Sequence, residues 1–174
     1  MTVAEATDLS KVNFTPADVE FMQGMIGHHE QAVEMVELLK THSSSDDMHK
    51  LGLRIGLSQN DEIKMMKRWL EVRGQRVPAA HEMRDMHMAD MMMPGMLSEG
   101  EMANLAAAKG TAFDRLFLEG MIKHHGGALT MVKDLLATRG AAQDTEMFAF
   151  ASDVDADQRM EIDRMAAMLK ELSK

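Results

Sequence analysis

DVEFMQGMIGHHEQAVEMVELL, residues 18–39, returns as DRLFLEGMIKHHGGALTMVKDL, residues 114–135, at an offset of 96. Eleven of the 22 aligned positions are identical: Asp18/Asp114, Phe21/Phe117, Gly24/Gly120, Met25/Met121, Ile26/Ile122, His28/His124, His29/His125, Ala32/Ala128, Met35/Met131, Val36/Val132 and Leu39/Leu135. A second match, at offset 99, pairs Gln59/Gln158, Glu62/Glu161, Ile63/Ile162, Met66/Met165 and Leu70/Leu169. Each half of the chain thus carries two corresponding segments, as a duplicated supersecondary unit does.

All four segments have helical spacing. Met22, Met25, Ile26, His29, Val33 and Val36 form one apolar stripe at a period of 3.6. Thr15-Pro16 reads as a capped helix start. The second helix is expected from about Asp46 to Arg73, with Gly74 as its stop; the third from near Thr111 to before Gly140; the fourth from about Asp144 to Leu172. No stretch shows strand alternation. The expectation is an all-α fold, a four-helix bundle built from two helical hairpins in one domain, 1–174. The first repeat covers about 15–74, a crossover connector about 75–110, and the second repeat about 111–172. The connector is long enough to run the length of the bundle, and Ser98 with Glu101 predicts a short capped helix over 98–109.

The helices carry an unusual donor set. Met25 precedes His28 by three residues and His29 by four, so the three side chains share a helix face; Met121, His124 and His125 repeat the arrangement. Met35 and Met131 lie about two turns further on. Thioether is soft and selects Cu(I), with Ag(I) as its chemical mimic, while imidazole serves several transition metals. In di-iron bundles the inward motif is Glu-x-x-His; here Met25 and Met121 stand where that Glu would be. The plainer reading of each stripe is core histidine and methionine filler. Its symmetric recurrence favours a metal.

The connector gives a second signal. Between His81 and Met96 it holds Met83, Met86, His87, Met88, Met91, Met92, Met93 and Met96, with Pro94 and Gly95. Core filling explains this tract poorly, and it can wrap Cu(I) with two or three sulfurs; the alternative is a Met-rich surface over the bundle or a partner-binding patch. A site using His28 or His29 is expected to weaken between pH 7 and 5, whereas an all-Met site is not.

Composition agrees. Among 174 residues there are 21 Met and no Cys, and the formal net charge is −9. That charge argues against nucleic acid and anionic membranes and favours cations. No apolar run is long enough to span a bilayer. Thioether in place of thiol suits an oxidising compartment, so a periplasmic or otherwise exported protein whose leader has been removed is expected. Asp153-Val-Asp155-Ala-Asp157 lacks the Gly and final Glu of a calcium loop, and His29-Glu30 lacks the second His of a zinc-protease motif. Ser43–Ser45 reads as a polar turn, with His42 and His49 solvated beside it.

The pattern Phe21-Met22-x-x-Met25-Ile26-x-His28-His29-x-x-Ala32, its copy at Phe117-Leu118-x-x-Met121-Ile122-x-His124-His125-x-x-Ala128, and Gln59-x-x-Glu62-Ile63-x-x-Met66-x-x-Trp69-Leu70 resemble the DUF305 family over about residues 15–172. That resemblance implies a ferritin-like fold, bacterial export and copper handling. Leu118 stands where Met22 stands in the first repeat, which puts equal sulfur counts at the two sites in doubt. The function expected is Cu(I) sequestration or delivery without turnover. Its partners would be metal ions and another copper-handling protein. The alternatives are a ferritin-like metal oxidase and a helical interaction module that binds no metal.

Overall fold

The computed structural model describes residues 13–79 and 93–173. Five helices occur among them: α1 (Pro16–His42), α2 (Asp46–Val72), α3 (Glu99–Ala107), α4 (Gly110–Ala137) and α5 (Thr145–Glu171). Four long helices form the bundle expected from the repeat, with the ferritin-like fold that the family resemblance implies, and α3 lies on the connector. The starts follow from local chemistry. Thr15 and Asp18 form a capping box at α1, and Ser98 and Glu101 form one at α3. Ser45 caps α2 through the Met48 amide. Gly74, at φ +64°, ends α2 in a conformation that favours glycine.

The helix pairing explains why the connector must be long. α1 and α2 form one antiparallel hairpin and α4 and α5 the other. α1 also lies antiparallel to α4: Asp18 accepts the Ala142 amide at one end, His28 faces His124 in the middle, and His42 faces Phe113 at the other end. So α2 and α4 run the same way, and the chain must return along the bundle between them. Arg76 is held near the start of α1 by Gln23, Leu97 near its middle by Gln31, and Ala106 at its end by His42.

His42 and His49 are engaged rather than merely solvated. His49 Nε2 lies 3.1 Å from the Leu39 carbonyl, which also accepts the Ser43 amide, so the last turn of α1 gains a second bond there. The offset change from 96 to 99 arises in the second hairpin loop, where the six residues 139–144 replace the three residues 43–45. The core divides into two groups: one around Met25, Met66, Trp69 and Phe150, the other around Met35, Phe113, Phe117 and Met165. Between them lies a buried polar layer of four histidines, Gln59, Gln158 and Glu161.

Candidate metal centre

The four motif histidines meet at the middle of the bundle. The rings of His28 and His124 stack across the α1–α4 interface with centroids 3.8 Å apart, and His29 and His125 turn outward from that pair toward α2 and α5. His29 donates Nε2–H to Glu62, and His125 does the same to Glu161 at 2.6 Å. A carboxylate at Nε2 fixes the tautomer and leaves the lone pair on Nδ1. At His29 and His125 that Nδ1 is buried with no hydrogen-bond partner. Neither ring nitrogen of His124 makes a hydrogen bond of ordinary geometry, although the His28 backbone acts on the ring weakly to raise its proton affinity. Burial, and after it the potential of His28, His125 and His29, pushes the His124 imidazole well below its usual range, so it stays neutral and able to ligate. Buried nitrogens without partners are costly in a dry core, and a soft cation is one way of satisfying them.

His28 points the other way, out to the connector. Its Nε2 donates to the Pro94 carbonyl at 2.9 Å. The connector is clamped here from both sides. Gln31 bonds the backbone of Leu97 twice, at 2.8 and 2.9 Å. Opposite, Pro94 and Gly95 rest directly on the α4 backbone at Gly127, where any side chain would overlap the Pro94 carbonyl. Gly127 is thus required by close approach.

This clamp brings together two methionines that the sequence separates by 38 positions. A methyl group on Gly24 would lie 3.3 Å from the Met93 sulfur and 3.6 Å from the Met131 terminal carbon. Gly24 precedes His28 by four residues, so both thioethers sit in a notch one helical turn from the stacked imidazoles. The corresponding notch, at Gly120, differs. Met35 occupies it as Met131 occupies the first, its terminal carbon 3.3 Å away, but the connector supplies Leu97 at 3.1 Å instead of a second sulfur.

The other sequence candidates divide. Met25 and Met121 are fully buried, in different core groups. Met96 is buried under the connector turn, and its amide bonds the Met93 carbonyl. Met83, Met86, His87, Met88, Met91 and Met92 lie outside the described residues. Among the described residues no three His, Asp or Glu side chains gather as a candidate metal cluster. Sequence reasoning gave no role to Glu62 and Glu161, although their recurrence with Gln59 and Gln158 was the signal that could have found them.

The family model for DUF305, a domain of unknown function, matches residues 18–169. The chain belongs to the DUF305 family. Among solved structures, a putative secreted DUF305 protein from Streptomyces coelicolor is 28% identical with a TM-score of 0.77, over 90% of this chain and 94% of that one. A DUF305 fragment from Deinococcus radiodurans is 31% identical with a TM-score of 0.76, over 92% and 99%. CopM in its Cu(I)-bound form is 29% identical with a TM-score of 0.69, over 88% and 96%. CopM has also been solved with Cu(II) and with Ag. A search of curated proteins gives no match. No helix among the described residues of this DUF305 chain is long and apolar enough to cross a membrane.

Proposed function

We propose that this DUF305 protein sequesters or delivers Cu(I) without turnover, holding it through thioether and neutral imidazole. The observation that carries the reading is the notch over Gly24, where Met93 and Met131 meet one turn from His28 and His124. Two sulfurs and an imidazole are a soft, uncharged donor set that suits Cu(I) and Ag(I). The CopM structures with Cu(I) and Ag support it by likeness. In this reading Glu62 and Glu161 are positioning residues: they orient His29 and His125 and so are engaged by imidazole instead of forming the carboxylate pair an oxidase would use. Export from the cytoplasm goes with the reading, since thioethers survive where thiols oxidise, and another copper-handling protein would then give or receive the ion.

Anaerobic Cu(I) titration against a chromogenic chelator tests this, comparing the protein with Met93→Leu/Met131→Leu. The double variant should keep its helicity and lose one high-affinity equivalent, and Ag(I) should compete for that equivalent in the parent. Equal capacity in both proteins, or a clear preference for Zn(II), would overturn the assignment. Catalytic oxygen consumption by the Cu(I)-loaded protein would replace the carrier by an oxidase.

A further inference from the structure

The outer face of α2 has a pattern that the bundle does not use. Asp46, Lys50, Leu53, Leu57, Asn60 and Lys64 recur at alternating intervals of four and three residues, and all are exposed. That interval is the seam of a helix that packs against another helix. At the centre of the stripe Leu53 is 65% exposed and Leu57 is 61% exposed. Both help to line an apolar groove of about 480 Å³ between α1 and α2, together with Val36, Leu39, Gly52 and Gly56. Glycine makes this groove: a methyl on Gly52 would come within 2.7 Å of Leu39, and one on Gly56 within 3.3 Å of Val36. Two projecting leucines on the rim of an apolar trough offer both knob and hole on one face, as an isologous interface requires.

The charges choose the partner and the direction. Asp46 at one end of the stripe and Lys64 at the other are separated by about 27 Å along the helix at 1.5 Å per residue. A second α2 laid antiparallel, about a twofold axis midway between Leu53 and Leu57, puts Leu53 against the partner's Leu57. It also sets Asp46 beside the partner's Lys64 at both ends. A parallel arrangement would set Asp46 against the partner's Asp46 and Lys64 against the partner's Lys64, which like-charge repulsion disfavours. Lys64 now pairs with Asp61 at 3.0 Å, but both are largely exposed and that contact is readily exchanged.

We propose that this face is a homodimer interface: two copies dock α2 against α2 in antiparallel, each placing Leu53 and Leu57 in the other's groove between α1 and α2. The interface lies away from the connector clamp and does not depend on metal.

Sedimentation equilibrium of the full chain with a chelator present, from micromolar to millimolar concentration, tests the proposal. The parent should sediment as a concentration-dependent dimer, and Leu53→Lys/Leu57→Lys as a monomer with unchanged circular dichroism. Asp46→Lys alone and Lys64→Asp alone should each weaken the dimer by about tenfold, since two attractive contacts become repulsive. The double reversal should recover most of that loss. A monomer at every concentration, a dimer that persists in the leucine double variant, or a double reversal no better than the single changes would each overturn it.

Discussion

The His28 and His124 rings lie 3.8 Å apart at an interplanar angle of 37°, each on its own copy of the repeated helix. Two imidazoles that close cannot both carry a proton cheaply, and His124 is the one whose protonation burial opposes most plainly. Its folded-state proton affinity is depressed below the unfolded value of ~6.5. As pH falls through that value, the unfolded chain takes up this proton before the native one does. The stability it represents is therefore complete above ~6.5 and declines below, at up to about 1.4 kcal/mol per pH unit for one proton. Urea midpoints of the metal-free protein should fall between pH 7 and 5, and His124→Leu should flatten that slope by one proton. An unchanged slope in the variant would mean that His124 protonates as readily folded as unfolded.

The asymmetry of the two glycine notches makes capacity adjustable. Leu97 occupies, over Gly120, the place that Met93 occupies over Gly24. Leu97→Met conserves volume to a fraction of a side chain and should cost less than about 1.5 kcal/mol. It also gives the second notch two sulfurs, its own and that of Met35. The expected outcome is one additional Cu(I) equivalent, weaker than the first and removed again by Met35→Leu. Unaltered stoichiometry with a native circular dichroism spectrum would show that sulfur count at the notch does not set capacity.

Arg73 joins the two hairpins at the far end of the bundle. Its guanidinium lies 4.4 Å over the Trp69 ring and bonds Asp144 at 2.8 Å and Glu146 at 3.0 Å, with the Arg73 side chain fully buried. Removing one partner of a buried ion pair strands the other. Arg73→Met should destabilise the fold by about 3 kcal/mol, readable as a lower denaturation temperature, while the copper count per folded chain stays the same. A loss below about 1 kcal/mol would indicate that water and the Trp69 indole N–H, which already donates to Asp144 at 3.3 Å, suffice for that carboxylate.

Much of this was legible from periodicity. The identical positions at offset 96 placed α1 and α4, and the cap residues Thr15, Ser98 and Gly74 placed ends correctly, because capping is a matter of a few neighbouring atoms. The pairing of His29 with Glu62 was not legible. It depends on which residue of α2 faces α1, and a register between helices is set by packing that no single helix encodes. Met93 and Met131 were each candidates, but in separate sites; what unites them is the clamp at Gly127 and Gln31. In the first repeat that position is a glutamine holding backbone, and in the second a glycine admitting it. Symmetry in the sequence thus concealed a division of labour in space.

That division gives a test in which no sulfur or nitrogen donor is touched. Gly127 lets Pro94 and Gly95 sit on the α4 backbone, and a methyl there collides with a carbonyl that has no flexible side chain to yield. In a helix Ala is otherwise preferred to Gly by about 0.5–1 kcal/mol, so α4 itself should not suffer. Gly127→Ala should therefore keep its helicity and push the turn off the bundle, breaking the His28–Pro94 bond and carrying Met93 away from Met131. Affinity for Cu(I) at that notch should fall by at least about tenfold, or 1.4 kcal/mol, as for any donor moved out of reach. A connector that stays in place would instead leave affinity intact and show the loss wholly as reduced stability. Measuring the chelator competition and the urea midpoint on the same variant separates the two, and only the first pattern agrees with a site completed by the connector.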